Sequence, residues 1–373
     1  MNETYIEFKN ITKRFDAVTA LDNISLSIPQ GCFMTLLGPS GCGKTTLMRQ
    51  LAGFSEPDSG DIYLNGRRVN GLPPYKRGTP LVFQEYALFP HMTVYENISY
   101  GLRLKKTERP NLDESVKKML ETFNLKGMES RFPRQLSGGQ QQRVAFARAL
   151  IMGQEVLLLD EPLSNLDAKL RVEVREELKQ IQRNLGITVI YVTHDQDEAL
   201  SMSDQIAVMK LGRIMQVGSP WEIYFRPANL FVADFVGAVN LLPVTVSGVI
   251  ADGLEVSWQD QRITVPGARG FSPGEAALLM LRPESIMIRI SGAAPPDTAM
   301  RGGKITGKVV FSSFLGRYIR YWVKCAERDG KELTLIIDDA NPGIDGPVSG
   351  QVELTFDTRK LHVLKAETQG AVL

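Results

Sequence analysis

Residues 38–46 read G-P-S-G-C-G-K-T-T, a glycine-rich loop followed by a lysine and two threonines. Glycine adopts backbone angles closed to other residues, so such a loop can turn its N–H groups inward around an anion. Lys44 is placed to reach the β- and γ-phosphates of a nucleotide and to act in the chemistry, and Thr45 offers a hydroxyl to Mg²⁺. The predicted nucleotide-binding residues here are Gly38, Pro39, Ser40, Gly41, Cys42, Gly43, Lys44, Thr45 and Thr46.

Two acids follow an apolar run, because residues 156–161 read V-L-L-L-D-E. An apolar run without alternation is typical of a parallel strand buried on both faces, and ligands bind at the carboxyl ends of such strands. Asp160 is predicted to hold Mg²⁺ through water, and Glu161 to polarise the attacking water as a general base. The pair therefore indicates hydrolysis of the bound nucleotide.

Three further side chains are candidates for the same site. His194 follows the apolar run 187–193, where it could hydrogen-bond the γ-phosphate and hold the water in line. Gln84 follows a short apolar strand and could reach either Mg²⁺ or the water. Phe15 follows a predicted strand at 5–9 and either stacks on adenine or packs in the core, and stacking on a base contributes about 1–3 kcal/mol.

A second anion-binding motif lies at residues 136–140, which read L-S-G-G-Q. The S-x-x-Q spacing is that of a capping box, and a helix is predicted to follow as far as residue 150, with Arg143 and Arg148 exposed. Small residues at a helix start leave its N–H groups accessible to an anion. One nucleotide needs only one such loop, so this one is predicted to serve a partner's nucleotide. Its residues are Ser137, Gly138, Gly139 and Gln140.

Together these motifs, in this order along the chain, resemble those of an ATP-binding-cassette ATPase. The resemblance covers roughly residues 5–235 and includes an S-N-L-D loop at residues 164–167. It implies a head-to-tail homodimer in which each ATP lies between the phosphate loop of one subunit and the Ser137 loop of the other. It further implies that Asp167 communicates between the two sites, and that both sites hydrolyse ATP with Mg²⁺.

Composition limits the remaining function classes. The chain has 373 residues, 43% of them hydrophobic, with 43 basic and 42 acidic residues, so neither nucleic acid nor an anionic lipid surface is indicated as a partner. Its three cysteines form no disulfide or metal pattern, which favours a reducing cytosol. The sequence has no run of 18 apolar residues and opens on a polar, acidic stretch, so neither a membrane span nor a standard signal peptide is expected.

One of those cysteines lies inside the phosphate loop. A thiol at a helix start and near Lys44 is expected to have a depressed pKa. Alkylation of Cys42 is therefore predicted to block ATP turnover, with ATP protecting the thiol.

The order of predicted elements indicates two domains. The first, residues 1–236, is predicted to be an α/β domain, a phosphate-loop NTPase core with a mostly parallel sheet, a helical insertion at about 86–152 and a long amphipathic helix at 164–185. The second, residues 237–373, reads as ten short strands separated by turns, and so as an all-β domain. Residues 281–288 and 356–363 echo each other weakly. The tail resembles the paired oligonucleotide-binding-like barrels (TOBE type) of importer ATPases, which contact each other and regulate.

The resemblance favours the ATPase subunit of an importer, lying on the cytoplasmic face of the membrane. The implied partners are two transmembrane permease subunits, docked near Gln84 and the helical insertion, and indirectly an extracytoplasmic solute-binding protein. A cassette ATPase acting on nucleic acid is the rival from another class, but such proteins carry a long coiled coil or zinc-type cysteines, which this sequence lacks. Two more candidates are an exporter ATPase and a module that binds ATP without turnover, and the presence of Glu161 and His194 disfavours the latter.

The transported solute has no physical signature in the chain, because the ATPase does not contact the cargo. Residues 72–77, 83–100 and 234–243 resemble ATPases of polyamine, ferric-iron and phosphonate importers. The resemblance favours polyamines, followed by ferric iron and then phosphonate.

Overall fold

The structure, a computed structural model, describes residues 4–291, 303–326, 332–341 and 346–366. The chain divides into two compact units, Met1–Trp221 and Glu222–Leu373. The division falls before the predicted boundary at residue 236, because the intervening segment groups with the C-terminal unit. Within the described ranges, no helix has both the length and the apolar character that crossing a bilayer requires.

The N-terminal part of the first unit is a four-stranded antiparallel sheet, ordered β2-β1-β4-β5 when strands are numbered along the chain. An α/β domain is predicted for these residues, but β1, β2 and β3 follow one another along the chain without an intervening helix. A two-residue turn, with Asp16 in the left-handed region (φ 49°), lets the chain fold straight back from Phe15 to Val18. The four strands are β1 (Thr4–Phe15), β2 (Val18–Pro29), β4 (Ser59–Leu64) and β5 (Arg67–Arg68).

The second sheet of this unit has six strands in the order β10-β9-β3-β8-β7-β6. Neighbours from β9 to β6 are parallel and only β10 is antiparallel, which confirms the predicted mostly parallel sheet. The central strands are buried along their whole length, as the unalternated apolar runs predicted. The strands are β3 (Phe33–Leu37), β6 (Leu81–Val82), β7 (Val156–Asp160), β8 (Thr188–Thr193), β9 (Gln205–Lys210) and β10 (Arg213–Gly218).

Helices of the first unit fall into two groups. Between β6 and β7 lie the helices of the predicted insertion, whose apolar faces share one core with β7, β8 and α6. These are α3 (Val94–Leu104), α4 (Arg109–Thr122) and α5 (Gly138–Leu150). The others accompany the strands: α1 (Lys44–Ala52), α2 (Pro74–Arg77), α6 (Ala168–Leu185) and α7 (Gln196–Met202).

Two helix details differ from the sequence predictions. Helix α6 begins at Ala168 rather than residue 164, because Asp167 caps it by accepting a hydrogen bond from the backbone N–H of Leu170 at 2.9 Å. Arg143 and Arg148 are half-buried rather than exposed. Arg143 pairs with Glu177 of α6 at 2.8 Å, and both arginine contacts tie α5 to other elements of the fold.

The C-terminal unit is all-β after two short helices, α8 (Pro220–Phe225), which spans the division, and α9 (Leu230–Phe235). Two five-stranded antiparallel sheets, ordered β13-β12-β11-β14-β20 and β15-β19-β16-β17-β18, share one apolar core. This confirms the predicted all-β fold. The strands are β11 (Asn240–Ile250), β12 (Gly253–Trp258), β13 (Gln261–Pro266), β14 (Ala276–Leu281), β15 (Ile286–Ile290), β16 (Lys304–Phe314), β17 (Ile319–Ala326), β18 (Glu332–Asp339), β19 (Gln351–Phe356) and β20 (His362–Lys365).

The weak internal echo has a structural counterpart. The chain leaves the first sheet through a 3-10 turn at Pro283–Ser285 and returns from the second through another at Thr358–Lys360. The flanking strands cross-pair, β14 with β20 and β15 with β19. The echoing segments are therefore the two crossings between the sheets.

Candidate functional site

Neighbouring parallel strands β7, β8 and β3 end at the same edge of the six-stranded sheet. Leu37 at the end of β3 pairs with Thr193 of β8, and Asp160 at the end of β7 pairs with Val192. The residues that follow these ends are thereby brought together, and loops at this edge are where open α/β sheets bind ligands. They are Gly38, Glu161 and His194.

The phosphate loop requires glycine for close packing as well as for backbone angle. A Cβ at Gly38 would collide with the carbonyl oxygen of Met209, and one at Gly43 would lie 2.5 Å from that of Ala20. Gly43 also has φ 106°, a conformation that side chains rarely adopt. The loop backbone is consequently packed closely between β9 and the antiparallel sheet.

Lys44 completes an anion cradle at the start of α1. Its Nζ donates to the carbonyl oxygens of Gly38 at 2.7 Å and Pro39 at 2.9 Å, and the residue is only 5% exposed. In the described structure the α1 N-cap, Gly43, provides no side-chain capping bond, and the first turn carries no acid. The helix N–H groups and their partial positive charge are therefore available to a phosphate.

The oxygen ligands suited to Mg²⁺ lie beside this cradle. Thr45 Oγ1 donates to Asp160 Oδ1 at 3.0 Å, joining α1 to the end of β7. Burial raises the pKa of Asp160, partly offset by the Thr45 hydrogen bond and by the charge of Arg49. A hydroxyl and a buried carboxylate fit a hard divalent cation, whose charge would favour the ionised acid.

Glu161 and His194 form the second pair at the sheet edge. His194 Nδ1 lies 3.1 Å from Glu161 Oε2, with the His194 side chain 57% exposed and that of Glu161 24% exposed. The Glu161 backbone is in the left-handed region (φ 45°), and is held there because its N–H donates to Val192 O and its carbonyl accepts from Ser164 Oγ at 2.9 Å. This turn presents the carboxylate to the site edge instead of to the core.

Gln84 is exposed just past the end of β6. Its carbonyl oxygen accepts a hydrogen bond from Asn165 Nδ2 at 3.1 Å, which joins this segment to the loop of residues 164–167. The next residues are held from the other side, because Arg148 donates to the carbonyl oxygens of Tyr86 (2.9 Å) and Ala87 (2.8 Å). The Gln84 segment is thus tied to α5 and to the loop that precedes α6.

Phe15 lies at the hairpin of the antiparallel sheet, not in a core. Its ring is 50% exposed, and the ammonium of Lys13 lies 5.4 Å from the ring centroid. The same sheet touches the phosphate loop through Ala20. An exposed ring in this position leaves stacking on a base open and excludes packing in the core.

The Ser137 motif has the predicted capping box, with Gln140 N–H donating to Ser137 Oγ at 3.3 Å and Ser137 N–H donating to Gln140 Oε1 at 3.0 Å. Its glycines have a packing role that the sequence did not reveal. A Cβ at Gly138 would lie 3.2 Å from Leu166, and one at Gly139 would lie 3.1 Å from Leu170. The motif packs on the start of α6, while Ser137 remains exposed.

The expected depression of the Cys42 pKa was wrong. The thiol is 4% exposed, and burial raises its pKa although Lys44 Nζ lies 3.8 Å from the sulfur. Desolvation of a thiolate in an apolar core outweighs one nearby cation. Cys42 belongs to the core beneath the loop rather than to its phosphate-facing surface.

Sequence reasoning also missed a cluster of four charged residues beside His194. The signal was present, because the two arginines are one helical turn apart and the two acids have the D-x-x-E spacing of a capped helix start. The cluster comprises Arg171, Arg175, Asp195 and Glu198.

The fold and this sheet edge define a phosphate-loop nucleotide hydrolase, and comparison with known proteins gives its family. The ABC transporter family matches residues 21–164, and the TOBE domain matches residues 279–364. This chain belongs to the ABC transporter family, as a transport ATPase whose cassette is followed by a TOBE domain.

Similar proteins cover almost the whole chain. The spermidine/putrescine import ATP-binding protein PotA of Desulfitobacterium hafniense is 47% identical over 88% of this chain and 90% of its own. The Fe(3+) ions import ATP-binding protein FbpC 1 of Rhizobium meliloti is 48% identical over 96% of this chain and 97% of its own.

Solved structures match the cassette. CbiO1 of Clostridium perfringens, part of the ABC transporter complex CbiONQ, is 31% identical with a TM-score of 0.57, over 59% of this chain and 91% of its own. A dimeric post-hydrolysis structure of the ATP-binding cassette MJ0796, bound to ADP and Pi, is 31% identical with a TM-score of 0.52, over 58% of this chain and 98% of its own.

Proposed function

We propose that this chain is the ATP-hydrolysing subunit of a binding-protein-dependent ABC importer that takes up polyamines. The observation that carries the hydrolytic part is the sheet edge, where the Thr45–Asp160 and Glu161–His194 pairs lie side by side at the ends of β7 and β8. The import part rests on the two similar proteins described above, both of which are import ATP-binding proteins by name.

In this proposal the phosphates lie in the loop of residues 38–46. The loop N–H groups and the start of α1 bind them, and Lys44 neutralises the β- and γ-phosphates. Thr45, Asp160 and Gln84 would hold Mg²⁺, with Asp160 acting through water. The ion would supply positive charge that neutralises the phosphates.

Glu161 acts as the general base. Its carboxylate accepts a proton from the water that attacks the γ-phosphorus, while the bond from that phosphorus to the β–γ bridging oxygen breaks and ADP leaves. His194, whose Nδ1 is 3.1 Å away, orients that carboxylate and donates to the γ-phosphate. The turn that fixes Glu161 keeps its carboxylate at the sheet edge, so less conformational entropy is lost when the water is positioned. Phe15 stacks on the adenine.

Two copies of the chain form the working unit. Ser137 is exposed at a capped helix start, and the two glycines that follow it pack against Leu166 and Leu170. The motif is therefore held in place by the fold while Ser137 faces solvent. We place it against the nucleotide of a second copy, with Asp167 at the same interface passing the state of one site to the other. The dimeric structure of the related cassette MJ0796 supports this arrangement.

The permease subunits dock in a groove beside the Gln84 segment. The groove has a volume of about 380 Å³ and includes Phe54, Tyr75, Tyr100 and Met152, of which Phe54 is 56% and Tyr75 82% exposed. Apolar side chains left this exposed mark an interaction surface. Arg148 lines the same groove and holds the Gln84 segment, so a docked subunit can sense the nucleotide site. The ATPase then lies peripherally on the cytoplasmic face, and a solute-binding protein delivers cargo from outside.

Uptake of labelled solutes tests the proposal. A strain lacking this gene is complemented with the parent chain or with Lys44→Ala, and uptake of spermidine, putrescine and Fe³⁺ is measured. We expect only the parent chain to restore polyamine uptake. Restoration of Fe³⁺ uptake alone would show that the transported solute is ferric iron and not a polyamine. Ferric iron is the second candidate because of the 48% identity to an iron-import protein.

A further inference from the structure

We propose that Arg171 and Arg175 are positioning residues that link the loop of residues 164–167 to the segment carrying His194, so that the two move as one unit. The proposal rests on the function proposed above, because it assigns a role to residues that support His194 and Asp167. The four charged residues of this network are contributed by two helices that each begin directly after one of these segments.

Helix α6 begins at Ala168, after the 164–167 loop, and α7 begins at Gln196, after His194. The two arginines lie one turn apart on α6 and face Asp195, the N-cap of α7, and Glu198 in its first turn. Because two cations meet two anions, the cluster is balanced in charge. The N–O distances are 3.4 Å for Arg171–Asp195, 3.9 Å for Arg171–Glu198, 3.5 Å for Arg175–Asp195 and 3.7 Å for Arg175–Glu198.

The acids are bonded to the backbone and side chains on both sides of His194. Glu198, whose side chain is 5% exposed, accepts hydrogen bonds from Tyr191 and Thr193, each at 2.7 Å. The N–H of Asp195 donates to Thr193 Oγ1 at 3.0 Å, and Asp195 Oδ1 accepts from the N–H of Glu198 at 3.0 Å. Residues 193 and 195 are therefore held, and His194 is presented between them.

The other end of the network reaches the 164–167 loop. Arg171 Nη2 donates to the carbonyl oxygen of Leu166 at 3.1 Å, so one guanidinium bonds to the loop and pairs with Asp195 at the same time. Leu166 is buried, and it packs beneath Gly138 of the motif-bearing helix α5. A contiguous path of contacts thus runs from the Ser137 motif, through Leu166 and Arg171, to the His194 segment.

Burial makes the arginines necessary. A carboxylate as enclosed as that of Glu198 is costly without a cation nearby. All four ion-pair distances exceed the usual length of a charge-assisted hydrogen bond, so the cations balance the cluster as a group. The guanidinium of Arg171 directs three different nitrogens at the carbonyl of Leu166, at Asp195 and at Glu198. A lysine has one nitrogen and cannot make all three contacts in this geometry.

ATP turnover by the full-length chain tests the proposal. We expect Arg171→Met to lower kcat by about tenfold to 100-fold, as small displacements of catalytic groups do, while KM for ATP changes by less than about twofold. Arg171→Lys keeps the charge and should recover part of the loss. Arg183→Met removes an exposed cation from the other end of α6 and serves as the matched control, with parent kcat expected.

A double-mutant cycle identifies the partner. If Arg171 acts through Asp195, then Arg171→Met combined with Asp195→Asn should be no slower than the slower single variant, whereas independent effects would multiply. Multiplying effects, or an equal rise in KM and fall in kcat, would overturn the positioning role. If Arg171→Met does not fold, the kcat of Arg171→Lys provides the test. A kcat equal to that of the parent chain in Arg171→Lys would show that Arg171 has a purely structural role.

Glu161→Gln, measured in the same assay, separates this inference from the proposed function. Turnover at the parent rate by Glu161→Gln would refute the assignment of the hydrolytic site itself. A stalled Glu161→Gln beside fully active Arg171→Met and Arg171→Lys would refute only the positioning network.

Discussion

Thr45 donates its hydroxyl proton to Asp160 at 3.0 Å, which joins the first helix to a strand 115 residues further along the chain. The bond places a hydroxyl and a buried carboxylate beside the phosphate loop, with Lys44 in the adjacent position of the helix. Several expected outcomes depend on this arrangement and on the neighbouring Glu161–His194 pair.

Replacement of Lys44 should weaken nucleotide binding. Lys44→Ala takes away the ammonium that lies within hydrogen-bond reach of two loop carbonyls. Bonds to charged groups contribute about 1.5–3 kcal/mol each, so ATP affinity should fall by about tenfold to 100-fold. Fluorescence titration with a labelled ATP analogue measures the change. Unaltered affinity would place the phosphates elsewhere.

Glu161→Gln should bind ATP and scarcely hydrolyse it. The amide is nearly the same size as the carboxylate but cannot accept the proton from water, so kcat should drop by about 100-fold or more. With hydrolysis blocked, ATP-bound dimers should accumulate in size-exclusion chromatography with light scattering. ATP turnover by His194→Gln should also be slow, but for a different reason. That variant lacks the imidazole nitrogen that lies 3.1 Å from the Glu161 carboxylate.

Cys42 should react slowly with alkylating reagents. Burial raises the pKa of this thiol above its ordinary value, so the reactive thiolate is scarcer than for an exposed cysteine. We expect iodoacetamide to leave ATP turnover intact in the native chain and to modify Cys42 rapidly only after unfolding in urea. Mass spectrometry of the alkylated peptide measures this. Rapid, ATP-protected labelling of the native chain would contradict the buried geometry.

Alkaline pH should destabilise the C-terminal unit. Burial raises the pKa of Cys325 from 9.0 to about 11. Above pH 9 the unfolded chain releases a proton that the folded chain retains, so the free energy of unfolding decreases as pH rises from about 9 to 11. Thermal melts at pH 7.5, 9 and 10.5 check the direction. Cys325→Ser should show a shallower dependence, and an identical slope would exclude this thiol as the cause.

Truncation after residue 221 should leave a soluble cassette that binds ATP, whereas truncation after residue 240 should aggregate. The longer piece keeps α9, whose Val232 and Ala233 are fully buried and which packs on Met280 and Leu364 of the missing sheets. It also loses Arg282, a fully buried guanidinium that donates to four carbonyl oxygens of the same segment, those of Tyr224, Ala233, Gly237 and Ala238.

ATP binding and solubility of the two truncated chains provide the test. Equal solubility would show that residues 222–238 fold without the sheets. Loss of ATP binding in the shorter chain would contradict an independent nucleotide domain.

Much of the site follows from local sequence. A glycine-rich loop after a buried strand, two acids after another and a histidine after a third specify which residues end up at the sheet edge, because parallel strands present their carboxyl ends together. The capping box at Ser137 and the all-β tail were equally readable, since caps and turns depend on residues only a few positions apart.

Only the tertiary structure decided how deeply each group lies and what it touches. Cys42 is one example. The sequence shows that Lys44 is nearby, but the core that buries the Cys42 thiol is formed by strands distant along the chain. Arg171 is a second example, since its partners Leu166 and Asp195 meet only when α6 packs against α7. The sequence determined which chemical groups are present and which strand each one follows. Packing determined how far each group is removed from water and which distant residues hold it in place, and these two properties set its reactivity.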